Sequence, residues 1–524
     1  MSEKEYIVSL HKGVDYDQFN QDMIASTGDG AIPGRSVDVA NARPGSLRNT
    51  HYALTADEVQ TLKNDPRVAD VAIPPDQDDS IQIGLNTRYS GTFYKGTDDD
   101  GQYIDWGKRR HSIREETSSW YPSLVGSYDF SLDGTGVDVV IQDSGLQVDH
   151  PEFNDANGNS RVQQINWATA SGLSFTQNAN HYRDTDGHGT HVGGTAAGLT
   201  FGWAKNAHIY SVKVAGLEGT GDSGTGIAVG NVFDCIKLWH RNKPVDPITG
   251  QKRPTIVNAS WGYSSNISAG IQSCTYRGTQ YTTSNDASFS TSPNSHMRDT
   301  YGLYPYYSNG AYRVPVRITS VDTDVQELID EGVHICIAAG NNSYKVDLSD
   351  GDDYNNRISV SGSTVYYHRG SSPYDTEAFM VGSLLSENST ADKKVDFSTT
   401  GPGVDIYAAG DEITSCTSNT NKFSDAAYWG DANFRQCNIN GTSMASPQVC
   451  GVGAMYLQAN PMLTPAQLKA MIHGDSSETM AAGTLTGYGS NEDAMGGPRR
   501  VMVSRYTNRV PYTNSLSGKY SIRR

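Results

Sequence analysis

Three short motifs hold residue types that together can break an acyl bond. Val139-Val140-Ile141-Gln142-Asp143-Ser144-Gly145 is an apolar strand ending in a carboxylate and a glycine turn. Alone it reads first as an aspartate closing a strand. Asp186-Gly187-His188-Gly189-Thr190-His191-Val192-Gly193-Gly194 sets His188 at the start of a helix of small residues, which can pack tightly inside a domain. An imidazole at the mouth of a buried helix suits general-base work. Asn440-Gly441-Thr442-Ser443-Met444-Ala445-Ser446-Pro447 is a glycine turn entering an apolar helix. Ser443 there has its hydroxyl at the positive end of a helix, where backbone N–H groups can bind a developing oxyanion, and Pro447 is tolerated in the first turn. Read singly, Thr442 or Ser443 is a helix N-cap. Read together, the three motifs supply a carboxylate, an imidazole and a hydroxyl.

The elements that must position these groups follow from patterning. Apolar β-branched runs at 137–141, 209–214, 255–258 and 333–337 alternate with helical patterns at 188–199, 227–239, 325–330 and 449–457. Nearly continuous apolar strands separated by helices predict an α/β fold whose mostly parallel sheet is covered on both faces, with the site beyond the carboxyl ends of the strands. Residues 1–76 read as a separate α+β unit, strand-helix-strand-helix-strand, in which Thr55 and Glu58 form a capping box. Pro74-Pro75 ends it, and 77–103 reads as an exposed linker rich in Asp, Gly and Ser. The larger unit is expected over 104–475, with long polar, Tyr-rich insertions near 263–318 and 343–376. A C-terminal extension, 476–524, carries a basic tail expected to be a solvated end.

Asp143-Ser144-Gly145, His188-Gly189-Thr190-His191 and Gly441-Thr442-Ser443-Met444-Ala445 resemble the three signatures of the subtilisin-like serine proteases, in that family's order of Asp, His and Ser. Phe201-Gly202-Trp203-Ala204-Lys205 and Ser211-Val212-Lys213-Val214 look closest to its proteinase K branch. The resemblance implies the family's three-layer fold and a serine endopeptidase working through an acyl-enzyme. Ser443 would be the nucleophile, His188 the base and then the acid, and Asp143 the group orienting the imidazole. Ala338-Ala339-Gly340-Asn341 matches the oxyanion motif, with the Asn341 amide and the Ser443 N–H as donors. Ser260-Trp261-Gly262 matches one wall of the primary pocket, and Ala339 and Gly340 are further substrate-binding positions. Gly219-Thr220-Gly221-Asp222 matches the strand that pairs with extended substrate. Residues 1–76 resemble the family's inhibitory propeptide, a ferredoxin-like unit, which makes the chain's own prodomain an intramolecular partner beside a polypeptide substrate. The chemistry needs no cofactor. The resemblance also implies structural calcium, with Asp405 and carbonyls near Thr376 and Ala378 as its ligands.

A net charge of −17 argues against nucleic acid or an anionic membrane as partner. The N-terminal residues hold no apolar run of signal-peptide length and no stretch is long enough to span a bilayer, so the expected location is intracellular or within a particle. Six cysteines without metal spacing fit a reducing compartment, with Cys416 and Cys437, flanking one polar loop, the pair able to bridge. Asp186, His188 and His191 could in principle hold zinc, but the flanking glycines and the lack of a Glu-x-x-His pattern make His191 a packing residue. A second reading is a structural or assembly component of a virion or large particle with a latent protease fold, docked through the insertions or the basic tail.

Overall fold

Val139, Val140 and Ile141 are fully buried, as a strand covered on both faces requires. Their strand, Asp138–Asp143, lies in a parallel sheet of six. Its neighbours run Ile406–Ala409, Phe379–Leu384, His334–Ala338 and Thr255–Ala259 on one side and His208–Lys213 on the other. The computed structural model describes residues 3–25, 35–78, 82–85, 106–112, 128–247, 250–306, 310–386, 392–478, 480 and 497–509. Most of the expected linker therefore lies outside the described residues.

After Asp138–Asp143 the chain adds His208–Lys213 on one flank and then Thr255–Ala259 on the other. That reversal opens a crevice at the carboxyl ends of the strands. Helices His188–Ala197 and Thr442–Ala459 pack together on one face of the sheet, and Val229–Asn242 and Thr319–Asp330 pair on the other, which makes the three-layer α/β arrangement. The two helices that start at His188 and Thr442 are buried along nearly their whole length, because glycine and alanine leave no bulk to hold them off. Among the described residues no helix is long and apolar enough to cross a membrane.

The N-terminal unit is an antiparallel sheet ordered Val39–Asn41, Asn49–Leu54, Lys4–Leu10, Val68–Ala72, with helices Tyr16–Ile24 and Ala56–Lys63 over a core that includes Val8, Phe19, Tyr52 and Leu62. The Thr55 capping box is present: the Thr55 hydroxyl accepts the Glu58 N–H and Glu58 Oε2 accepts the Thr55 N–H. This unit docks on helices Val229–Asn242 and Thr319–Asp330 through a buried charge cluster. The Arg43 guanidinium reaches Asp324 at 3.0 Å, Asp234 at 3.1 Å and the Gly230 carbonyl at 2.5 Å. Asn49 donates to Asp324 at 2.9 Å, and Glu327 accepts the Leu47 N–H at 2.9 Å and pairs with Lys237. Burial, opposed by the two carboxylates, acts on Arg43; the carboxylates prevail and its pKa is raised.

Two sequence expectations change here, and one alternative is closed. The insertions are not unpatterned loops: strands Ile271–Tyr276, Thr279–Tyr281, Ala311–Pro315, Arg357–Val360 and Ser363–Tyr366 and helix Ser295–Tyr301 enclose a second core. Tyrosine builds that core because its hydroxyl can be paid off by a carbonyl, as Tyr344 donates to Tyr304 O and Tyr367 to Tyr301 O. The extension is not solvated throughout: Val501 and Met502 are buried against Tyr407, and Thr507–Arg509 pairs with Tyr128–Phe130. Cys416 and Cys437 do not bridge, and all six cysteines are buried free thiols. Cys437 lies opposite Ser415, so strand alternation puts the Cys416 side chain on the other face.

Candidate active site

Three adjacent strands end at the crevice, and each delivers one part of the site. Asp143 is the last residue of its strand, and its Oδ1 lies 2.8 Å from Nδ1 of His188, both side chains fully buried. Asp143 Oδ1 also accepts the Ser144 N–H at 2.7 Å. A carboxylate placed so fixes the imidazole's tautomer, leaving Nε2 as the basic nitrogen. Among the described residues Nε2 of His188 has no hydrogen-bond partner.

Close backbone approach sets the histidine. A Cβ on Gly189 would lie 2.1 Å from the Gly145 carbonyl oxygen, so the helix can rest on the turn after Asp143 only without one. Asp184, which sequence reading passed over, locks this arrangement. Its Oδ1 accepts the Ser144 hydroxyl at 3.0 Å and the Gly187 N–H at 2.8 Å, and its Oδ2 accepts the N–H and hydroxyl of Thr190 at 2.9 and 2.6 Å. The one available signal was its place before a helix start, where a carboxylate accepts otherwise unpaired N–H groups.

The second strand, Thr255–Ala259, runs into Ser260, which holds the serine helix by reciprocal bonds. Ser260 Oγ donates to the Ser443 carbonyl at 3.0 Å, and Ser443 Oγ donates to the Ser260 carbonyl at 3.0 Å. Asn258 extends the tie, donating to Ser260 Oγ at 2.8 Å and accepting from Ser446 at 2.7 Å. The Ser443 hydroxyl is thus paired with Ser260 rather than with the imidazole. The third strand, His334–Ala338, continues into Ala339, Gly340 and Asn341. Asn341 Oδ1 accepts the Thr442 N–H and hydroxyl, both at 2.9 Å, which aims the amide and leaves Nδ2 buried without a partner among the described residues. A buried, unpaired N–H donor is costly unless a ligand oxygen answers it.

Strand Trp261–Ile267 carries the expected pocket wall, and its free edge is taken by residues of this same chain. Gln82–Leu85 pairs antiparallel with it, Leu85 opposite Trp261, Gly84 opposite Gly262, and Gln82 opposite Ser264. Trp261 contributes backbone only, because its indole is fully buried and donates to Gln142 at 3.1 Å. Two expectations fail. Gly219-Thr220-Gly221-Asp222 is a turn closed by the Asp222 N–H on the Gly219 carbonyl, not a strand, since the Asp222 carboxylate is drawn inward to Lys213 and Arg183. Asp405 and the Thr376 and Ala378 carbonyls do converge, but on the ammonium of Lys469, so they do not fit calcium.

Elsewhere, Asp186 pairs with Lys422 at 2.7 Å, and burial raises its pKa. His191 donates from Nε2 to the Ile413 carbonyl at 3.1 Å, and burial pushes its pKa down to about 3, so it is a neutral packed side chain. Asp234, Asp324 and Glu327 bring oxygens within 4.8 Å of one another, but Arg43 already pairs with Asp234 and Asp324, and Lys237 with Asp234 and Glu327.

Residues 134–490 match the model of the subtilase family, peptidase S8. The chain belongs to that family. It is 25% identical over 438 residues to alkaline serine exoprotease A of Vibrio alginolyticus, covering 83% of this chain and 57% of that one. It is 25% identical over 427 residues to an extracellular serine proteinase of a Thermus species, covering 82% and 70%. The chain thus spans little more than half the length of the Vibrio relative. Fervidolysin of Fervidobacterium pennivorans, a keratinolytic enzyme related to subtilisin, shares the fold with a TM-score of 0.51 at 17% identity, over 95% of this chain and 61% of that one.

Proposed function

We propose that this chain is a serine endopeptidase made as a self-inhibited precursor. The observation that carries the reading is one crevice holding the buried Asp143–His188 pair at 2.8 Å, the Ser443 hydroxyl at a helix start, and the unanswered amide of Asn341. In the reaction Ser443 leaves the Ser260 carbonyl, passes its proton to Nε2 of His188 and attacks the substrate carbonyl carbon. Asp143 stabilises the imidazolium, and Asn341 Nδ2 with the Ser443 N–H binds the oxyanion. Collapse of the intermediate expels the amine, which takes the proton from His188, and water then releases the acyl group by the same steps.

Substrate in this reading binds by strand addition to Trp261–Ile267, the edge that Gln82–Leu85 holds in the precursor. Residues 1–85 would then block the cleft until the chain is cut beyond Leu85. The oxyanion assignment is tested by Asn341→Ala. Its kcat on a peptide substrate should fall about 10²–10³-fold with KM little changed, the scale established for the corresponding donor in subtilisin, a member of this family. Labelling of Ser443 by a fluorophosphonate would persist at a reduced rate. An unchanged kcat would remove Asn341 from the reaction.

A further inference from the structure

Helix Pro465–Asp475 lays the Lys469 side chain across the starts of two neighbouring strands of the central sheet, Phe379–Leu384 and Ile406–Ala409. Its Nζ lies 2.7 Å from Asp405 Oδ1, 2.7 Å from the Thr376 carbonyl oxygen and 2.6 Å from the Ala378 carbonyl oxygen. An ammonium has three N–H donors and no acceptor, so these three oxygens saturate it. The other carboxylate oxygen of Asp405 is held as well, accepting the Met380 N–H at 2.8 Å. Both side chains are largely shielded, with 12% of Lys469 and 19% of Asp405 exposed.

A carboxylate and two carbonyls converging on one point are the hard oxygen donors that alkaline-earth cations take. An ordinary ion pair needs the carboxylate alone. The two carbonyls belong to a chain segment turned toward the same point, and without a cation there they would face Asp405 across a shielded gap. The local charge is otherwise negative, since Asp375 and Glu377 flank the carbonyls, while Arg500 reaches the main-chain oxygen of Asp405 at 3.4 Å. We propose that Lys469 is a tethered cation filling a metal-type oxygen site, so that this corner of the sheet is neutralised without a bound ion, and that removing its ammonium turns the cradle into a divalent-cation site. The inference stands apart from the protease reading.

The test compares thermal melts of the full chain carrying Ser443→Ala, which prevents self-cleavage, with the same chain carrying Lys469→Ala as well. Each is melted in chelator and in millimolar calcium. The Lys469→Ala chain should melt lower in chelator and gain about 5 °C more from calcium than its parent. It should bind one more terbium ion by luminescence, and further Asp405→Asn should abolish both gains. Lys469→Arg, which keeps a cation in place, should fold without calcium and gain no calcium response. An equal calcium response in parent and Lys469→Ala, terbium binding by the parent that Asp405→Asn removes, or a Lys469→Ala chain that fails to fold even with calcium would each overturn the proposal.

Discussion

Ser443→Ala should lower kcat on a peptide substrate by about 10⁶-fold, the loss that removal of this group causes in subtilisin, and should leave the melting temperature nearly unchanged. The two readouts separate for a physical reason. The substitution deletes one hydroxyl that donates to the Ser260 carbonyl at 3.0 Å, a bond worth about 1 kcal/mol to the fold. The serine helix stays in place, because Ser260 Oγ still donates to the residue-443 carbonyl and Asn258 still accepts from Ser446. His188→Ala is the less clean experiment, since it strands the fully buried Asp143 carboxylate and would cost stability together with activity. The check is steady-state kinetics beside a calorimetric melt. Residual activity within about 10²-fold of the parent, on the scale that loss of one oxyanion donor causes, would move the nucleophile elsewhere.

Under the proposed self-inhibition, Arg43→Ala should weaken inhibition of the processed chain by its N-terminal unit by about 10²–10³-fold. Arg43 of the N-terminal unit pairs with both Asp234 and Asp324, and all three side chains are about 1% exposed. Removing one partner of a buried ion pair costs about 3–5 kcal/mol: Asp234 would keep Lys237 and Asp324 would keep Asn49, but both carboxylates would lose their shared guanidinium in a site that excludes water, and every 1.4 kcal/mol is about tenfold in affinity. By contrast Lys12, whose pair with Asp330 is exposed on both sides, should change little when replaced. The measurement is the inhibition constant of the added N-terminal unit, parent against variant, read on the processed enzyme. Equal constants for Arg43→Ala and Lys12→Ala would show that docking does not depend on the buried cluster.

The parts of this molecule governed by local patterning were legible in the sequence. The apolar run ending at Asp143, the small-residue helix after Gly187 and the Thr55 capping box each announce themselves over a few residues, and each stands where expected. Gly219–Asp222 misled because its conformation is decided by Lys213 and Arg183, which a motif match does not weigh. Strands Phe379–Leu384 and Ile406–Ala409 went unassigned, although the sheet needs them to carry its edge. The Tyr-rich insertions looked polar because a tyrosine counts as half-polar until its hydroxyl finds a carbonyl. Lys469 gave no signal at all, since nothing near it in the chain says that Asp405 and two carbonyls wait across the fold. The Arg43 cluster was equally hidden, being a contact between units distant in sequence.

In the proposed function Ser443 is a nucleophile whose first substrate is this chain, held in the cleft by Gln82–Leu85. Intact mass followed over time on the purified 524-residue chain, parent beside Ser443→Ala, tests it most directly. The parent should lose an N-terminal fragment ending beyond Leu85 and before Trp106, its remaining body should be labelled at Ser443 by a fluorophosphonate, and Ser443→Ala should stay whole and unlabelled. A parent that stays whole and unlabelled, even when expressed without residues 1–105, or a Ser443→Ala chain that is cut at the same bond at the same rate, would contradict it.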